Sequence, residues 1–124
     1  MDKKLSILLV EDDIINQRIT KIYLTKYGHS VDIASNGVEA LEKFISNHAN
    51  YDLIFMDMQM PEMDGLECSR KIREFEQENN LKRKRIVAFT ANAMSNEKEM
   101  CTQAGMDDFI NKPFKIEDLL SKLI

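Results

Sequence analysis

Short apolar runs alternate with longer segments of helical periodicity along the whole chain. Five of the runs have the length and apolar content of β-strands. Four of them end abruptly at a polar or charged residue, whereas the second alternates apolar and polar positions, which is typical of a strand nearer the edge of a sheet. The predicted strands are Leu5–Val10, His29–Ala34, Tyr51–Asp57, Ile86–Thr90 and Phe109–Ile110.

A helix is predicted after each strand, because apolar residues recur there at spacings of three and four. In the first helix, Asp13 is a suitable N-cap and Gly28 a suitable C-terminal stop. In the second, Asn36 and Glu39 have the spacing of a capping box. The apolar positions of these two helices are Ile14, Ile15, Ile19, Ile22, Tyr23, Val38, Leu41, Phe44 and Ile45.

The three remaining helices are predicted from the same spacing. The third begins at Gly65 and has a narrow apolar stripe among charged residues. The fourth is capped by Ser95 and stopped by Gly105, and we expect it to be the most loosely held because it has few large apolar residues. The fifth has a strong stripe. Core positions in this part of the chain are Leu66, Ile72, Phe75, Met100, Met106, Ile116, Leu119, Leu120, Leu123 and Ile124.

Five strand–helix repeats indicate an α/β fold with a parallel sheet, helices on both faces and right-handed crossovers. In open sheets of this kind the ligand site lies at the carboxyl ends of the strands, where the strand order reverses. The polar residues that end the strands therefore predict a functional site at one edge of the sheet.

Length and composition restrict the classes of protein that fit. The chain has 124 residues, 44% of them hydrophobic and 31% charged, which predicts a single domain with its own core, spanning 1–124. A net charge of −4 gives no general attraction to nucleic acid or anionic membranes. The basic run 82–85 is interpreted as a solvated loop, and His29 and His48 as ordinary strand and loop residues. With no membrane-spanning stretch or signal peptide, we expect a cytoplasmic protein in which Cys68 and Cys101 are free thiols.

Three carboxylates stand at the ends of two strands that can be neighbours. They are Glu11, Asp12 and Asp57, and their mutual repulsion favours a hard divalent cation, with Mg²⁺ the best match to an all-oxygen set. An aspartate in such a site can be the nucleophile of phosphoryl transfer. The ammonium group of Lys112 and the hydroxyl group of Thr90 can then stabilise the phosphoryl oxygens.

Four motifs occur in order over nearly the whole chain, and together they carry a family resemblance. They are Leu9–Asp13 (LVEDD), Met56–Gly65 (MDMQMPEMDG), Ala88–Ala93 (AFTANA) and Lys112–Phe114 (KPF). The sequence, from Leu5 to Ile124, resembles the receiver domain of two-component response regulators. The resemblance implies the flavodoxin-like strand order 2-1-3-4-5 with five helices on two faces.

By this resemblance, Asp57 is the phosphoacceptor and a histidine kinase or histidine phosphotransfer protein is the donor. Asp12 is implied as a direct Mg²⁺ ligand, Glu11 as a ligand through water, and Gln59 as a ligand through its backbone carbonyl. Mn²⁺ is expected to substitute for Mg²⁺. The protein would be a phosphorelay signalling switch that catalyses its own phosphorylation and slow dephosphorylation, not an enzyme acting on external substrates.

The resemblance also implies how the switch operates. Lys112 pairs with the acceptor and its phosphoryl group, and the Lys112–Pro113 peptide is expected to be cis. Thr90 moves toward the phosphoryl group and Phe109 turns inward behind it. The changed surface formed by Thr90 and Phe109 would alter partner contacts.

Two features bear on the kind of receiver and on alternatives. Gln59 and Asn92 flank the acceptor site, and the wording of their motifs is similar to receivers of hybrid histidine kinases. We expect a monomer, either a free-standing regulator or a segment of a longer chain.

Two other functions are compatible with such a fold. The first alternative is a phosphatase, although Gln59 stands where aspartate-based phosphatases have their general acid. A binding module without phosphorylation is the second, although it has no need of clustered carboxylates.

Overall fold

The computed structural model describes residues 4–91 and 96–123, in which strands and helices alternate as predicted. Each helix follows one strand, and a short 3-10 helix (His48–Asn50) precedes the third strand. The strands are β1 (Ser6–Val10), β2 (Ser30–Ala34), β3 (Leu53–Asp57), β4 (Arg85–Thr90) and β5 (Asp108–Asn111). The helices are α1 (Ile14–Lys26), α2 (Gly37–Asn47), α3 (Gly65–Glu78), α4 (Glu97–Gln103) and α5 (Ile116–Ser121).

All five strands pair in parallel in the order β2-β1-β3-β4-β5. Alternate residues of the central strands point to opposite faces, so each face has its own buried cluster. Ile54 and Met56 pack with α2, α3 and α4, whereas Leu53 and Phe55 pack with α1 and α5. The predicted fold class and strand order are confirmed, and β2 lies at a sheet edge with its residues mostly half-buried.

Helix α1 is turned with its apolar residues toward solvent. Its buried residues are Gln17, Thr20 and Leu24, whereas Ile15 and Ile22 are 68% and 65% exposed. The side-chain amide of Gln17 donates hydrogen bonds inward, which fixes the polar side against the sheet. A stripe of this spacing normally faces the core, so the usual interpretation of the pattern is wrong for this helix. The other exposed apolar residues of its outward face are Ile14, Ile19 and Tyr23.

Several other side chains lie on the opposite side from the one their type suggested. Val38, Ile45 and Met100 are exposed, so Met100 does not fill the core, although Met106 is buried as expected. His48 was expected to be a plain loop residue, but its ring contacts Phe44 and Phe75 at centroid distances of 5.8 Å.

Three helices begin at N-cap residues whose side chains accept hydrogen bonds from backbone N–H groups. These residues are Asp13, Asn36 and Asp64. The predicted cap Ser95, Asn92 and Ile124 lie outside the described residues.

Arg73 and Glu76 of α3 form a buried charged network at the amino-terminal edge of β4. They are 9% and 3% exposed. Arg73 donates to Glu76 Oε1, Asp107 Oδ2 and the Gly105 carbonyl, each at 2.8 Å, and Glu76 Oε2 accepts the Lys84 N–H at 2.8 Å. The network joins α3 to the segment that leads into β5. The predicted solvated run 82–85 is therefore partly structural.

Two further findings concern membrane-spanning helices and the cysteines. Within 4–91 and 96–123, the helices are too short and too polar to cross a bilayer. Both cysteines are buried free thiols, as predicted. Burial raises the pKa of Cys68 to about 12, which keeps this thiol protonated at neutral pH.

Candidate functional site

The register of the sheet brings the polar strand ends to one edge. Val10 pairs with Met56, so Glu11 and Asp12 follow β1 beside the end of β3. Asp57 pairs with Phe89, the residue before Thr90. β1 and β3 are consecutive in the sheet although β2 separates them in sequence, so this edge is the point at which the strand order reverses and a ligand site is expected.

Glu11, Asp12 and Asp57 form a cluster of three carboxylates. One oxygen from each lies within 4.8 Å of the others. Glu11 and Asp57 are 3% and 4% exposed, whereas Asp12 is open to solvent. These carboxylates line a cleft of about 230 Å³ together with Gln59 and Lys112. An all-oxygen set with an open side fits Mg²⁺, which takes a few carboxylates and keeps several waters.

Lys112 is the cation of the cluster. Its Nζ lies 3.1 Å from Asp57 Oδ1 and 3.6 Å from Glu11 Oε1. Burial, with the adjacent Asp57 carboxylate adding to it, raises the pKa of Glu11 to about 8, although Lys112 acts in the opposite direction. One ammonium group therefore does not fully compensate the buried negative charge. Such an excess of negative charge favours the binding of a divalent cation.

The loop after β3 is held against the end of that strand by backbone contacts. The Gln59 N–H donates to Asp57 Oδ1 at 3.3 Å, and the Gly65 N–H donates to the Met58 carbonyl at 3.1 Å. A Cβ on Gly65 would lie 2.2 Å from the Asp57 carbonyl oxygen. Only glycine allows α3 to begin this close to the end of β3. The Pro/Gly-punctuated loop thereby packs against the backbone of Asp57 and Met58.

The remaining predicted residues surround the cleft from β4 and β5. Thr90 is fully buried, and its hydroxyl donates to Glu97 Oε1 at 2.5 Å. Phe109 is half-buried. The Lys112 N–H donates to the Thr90 carbonyl at 2.7 Å, and the Lys112–Pro113 peptide is cis. These contacts carry Lys112 from the end of β5 over the carboxylates.

An aromatic stack supports the segment that carries Lys112. The Phe114 ring stacks on Phe89 at 4.9 Å, and Phe89 stacks on Phe55 at 5.3 Å. Because Phe89 and Phe55 belong to the two central strands, the stack ties the KPF motif to the rigid part of the sheet.

Two contributors to the site were missed from the sequence. Gln17 donates from its side-chain amide to the Glu11 carbonyl and to Ser35 Oγ, and so holds the turn after β1. Glu97 holds the Thr90 hydroxyl. The sequence contained no signal for either residue, because Gln17 lies on the polar side of α1 and no periodicity relates Glu97 to Thr90.

Comparison with protein families gives a match across almost the whole chain. The model of the response regulator receiver domain matches residues 7–124. The chain belongs to this family. Among curated proteins, the receiver is 48% identical over 121 residues to hybrid signal transduction histidine kinase K of Dictyostelium discoideum. That match covers 94% of the receiver but 10% of the kinase, so the sequence spans a small part of this relative.

Solved structures of receivers have the same fold. The receiver domain of sensor histidine kinase PA1611 from Pseudomonas aeruginosa PAO1 is 37% identical with a TM-score of 0.85, covers 98% and 95% of the two chains, and has a magnesium ion coordinated in its active-site cleft. A second match is to the co-crystal structure of the Saccharomyces cerevisiae histidine phosphotransfer protein Ypd1 with the receiver domain of Ssk1. There the identity is 34%, the TM-score 0.90 and the coverage 99% and 88%.

Proposed function

We propose that this receiver accepts a phosphoryl group from a phosphohistidine donor onto Asp57 in a Mg²⁺-dependent reaction, within a phosphorelay. The observation that carries the proposal is the cluster of Asp57, Glu11 and Asp12 with Lys112 in one cleft at the switch point of the sheet. Charges of both signs are thus arranged around the position that a transferring phosphoryl group would occupy.

The chemical step has a simple balance. An oxygen of the Asp57 carboxylate attacks phosphorus, the phosphorus–nitrogen bond of the phosphohistidine breaks, and the electron pair of that bond stays on the imidazole. Lys112 follows the charge on the phosphoryl group from its position 3.1 Å from Asp57. The phosphorylated state ends by hydrolysis. Water attacks phosphorus, the bond from phosphorus to the Asp57 oxygen breaks, and inorganic phosphate is released.

We assign the metal site to Asp12 directly, Glu11 through water, the Asp57 carboxylate and the backbone carbonyl of Gln59. The mutual approach of the three carboxylates within 4.8 Å supports their part in this set. When bound, Mg²⁺ neutralises charge on the oxygens of the transferring group. Mn²⁺ accepts the same oxygen ligands and should substitute.

The output is a conformational switch. Phosphorylation adds about −1.5 to −2 charge at Asp57, which draws the Thr90 hydroxyl toward it. Phe109, half-buried beside β4, then turns inward and changes the surface that partners contact.

The donor is a histidine kinase or a histidine phosphotransfer protein. The outward face of α1 supports a protein donor, because the first turn of α1 borders the cleft through Asp13 and Asn16. Exposed Ile14, Ile15 and Ile22 continue that surface. An apolar patch rimmed by polar residues next to an active site is typical of a protein contact.

The proposal also covers the extent of the domain, its oligomeric state and its location. Residues 1–124 form one receiver domain, monomeric, cytoplasmic, and without direct contacts to nucleic acid or membrane. It is a signalling switch that turns over only its own phosphoryl group. A phosphatase for external esters is disfavoured because Gln59 provides no second acid beside Asp57.

Acetyl phosphate labelling tests the proposal. The wild-type protein should gain one phosphoryl group by intact mass with Mg²⁺ present, and none after chelation. Asp57→Asn should gain none. Asp52→Asn is the matched control, because Asp52 is an exposed aspartate just before β3 and away from the cleft. Absence of Mg²⁺-dependent uptake by the wild type would contradict the proposal.

A further inference from the structure

The first turn of α4 contacts both residues assigned to the switch. Glu97 Oε1 accepts the Thr90 hydroxyl hydrogen bond at 2.5 Å. The next residue, Lys98, places its Nζ 5.2 Å from the centroid of the Phe109 ring. Two consecutive side chains at the start of α4 therefore contact Thr90 and Phe109.

The bond from Thr90 to Glu97 is of the stronger kind. Its acceptor is a carboxylate, and charge-assisted hydrogen bonds are shorter and roughly twice as strong as neutral ones. Thr90 is fully buried and Glu97 is half-buried, so water competes weakly for either group. Lys98 adds a cation–π contact on an exposed surface, where such contacts are weaker.

Glu97 and a phosphoryl group compete for the same proton. A threonine hydroxyl has one hydrogen to donate, so Thr90 cannot donate to Glu97 and to an oxygen on Asp57 at once. Thr90 follows Phe89, which pairs with Asp57 across the sheet, so the hydroxyl lies on the strand next to the acceptor. Movement of Thr90 toward Asp57 requires that its bond to Glu97 breaks.

We propose that Glu97 is a positioning residue that restrains Thr90 in the unphosphorylated state and so sets how readily the receiver switches. This inference rests on the proposed phosphoacceptor function. Breaking the Thr90–Glu97 bond removes one contact between β4 and the first turn of α4, and this turn then shifts away from β4. Lys98 moves with it and releases Phe109, which couples the two switch residues through one helical turn.

Substitutions at Glu97 test the restraint. Glu97→Ala removes the acceptor, and Glu97→Gln keeps an acceptor oxygen but loses the charge. Glu99→Gln is the matched control, because it removes the same charge from an exposed position in the first turn of the same helix. The probe is beryllofluoride with Mg²⁺, a mimic of the phosphoryl group, and binding is followed through the amide signals of Thr90 and Phe109.

The expected results are graded. Glu97→Ala should bind beryllofluoride roughly ten-fold more tightly than the wild type, a size expected from loss of one charge-assisted hydrogen bond. Its signals for Thr90 and Phe109 without ligand should shift toward their bound positions, and Glu97→Gln should lie between. Glu99→Gln should match the wild type, and Mg²⁺ affinity should stay unchanged in all variants.

Two results overturn the proposal and are distinguishable. If the wild type binds beryllofluoride but both Glu97 variants behave like Glu99→Gln, the restraint is refuted and the phosphoacceptor function stands. If the wild type itself does not bind the mimic or take up phosphoryl groups with Mg²⁺, both proposals fall. Should Glu97→Ala fail to fold by circular dichroism, Glu97→Gln alone decides, because it preserves size and shape.

Discussion

Replacing Gly65 with alanine should displace the end of β3 without altering any charge at the site. The new Cβ would lie 2.2 Å from the Asp57 carbonyl oxygen and 3.0 Å from Met56 Cγ. Contacts below 3.0 Å are essentially never made by real Cβ atoms, so the start of α3 or the end of β3 must move by about 1 Å. The atom in the way is backbone, which cannot rotate aside.

The size of the effect follows from that displacement. A misplacement of about 1 Å at a reacting group can cost about 10²-fold in rate, so phosphorylation of Gly65→Ala by acetyl phosphate should slow by about two orders of magnitude. Overpacking costs about 1–3 kcal/mol, partly offset by the better helix propensity of alanine, which leaves a net loss of about 1–2 kcal/mol in the free energy of unfolding.

Initial rates of uptake, measured with saturating Mg²⁺, and urea unfolding separate the two effects. Gly28→Ala is the control, because Gly28 has a φ of +92° and only the flexible Lys4 side chain within reach, at 3.5 Å or more. It should lose about 1–2 kcal/mol from backbone strain and keep the wild-type rate. A wild-type phosphorylation rate in Gly65→Ala would refute the role given to the loop.

Three further outcomes follow from other parts of the molecule. Arg73→Met should lower the free energy of unfolding by about 3–5 kcal/mol in urea, because it leaves buried Glu76 without its cation; a loss below 1 kcal/mol would contradict this. Ile22→Ser should slow phosphotransfer from a phosphohistidine protein several-fold without changing uptake from acetyl phosphate, and equal effects on both donors would argue against α1 as a contact surface. Burial alone would raise the pKa of Asp108, but the Phe109 N–H and Lys122 outweigh it and lower this pKa. Asp108→Asn should therefore be less stable than the wild type at neutral pH, and the difference in the free energy of unfolding should shrink as the pH falls through the acidic range. A difference that stays constant with pH would contradict this.

The sheet and the carboxylate cluster could be predicted because their signals are local. In a parallel sheet the central strands are buried on both faces, so an apolar run that stops at Asp57 marks both a strand and its carboxyl end. Once strands and helices alternate, those ends must meet at one edge. Glu11, Asp12 and Lys112 were found in the same way, and the structure brings them to Asp57.

The orientation of α1 could not be read from its sequence. Periodicity shows that apolar residues share a side of the helix, but not which side faces the sheet. Here Gln17 bonds to the turn after β1, and Ile15 and Ile22 remain outside. An apolar stripe that faces solvent and one that faces the core therefore have the same pattern in the sequence.

Long-range polar contacts were also hidden. The burial of Arg73 could not be predicted, because two of its partners lie far along the chain. Gly105 and Asp107 are separated from Arg73 by 32 and 34 positions. Thr90 and Glu97 are closer in sequence, but they belong to different elements, β4 and α4, and no periodicity relates them. Such contacts depend on how elements pack, which composition and spacing do not specify.

Chemical trapping of the phosphorylated residue identifies the phosphoacceptor directly. After phosphotransfer from a phosphohistidine donor with Mg²⁺, borohydride reduction converts an aspartyl phosphate to homoserine, which tandem mass spectrometry locates in the sequence. Homoserine is expected at position 57 alone, and none is expected when Mg²⁺ is chelated. Trapping at another aspartate, or a stable phosphoryl group on a different residue type, would contradict this expectation.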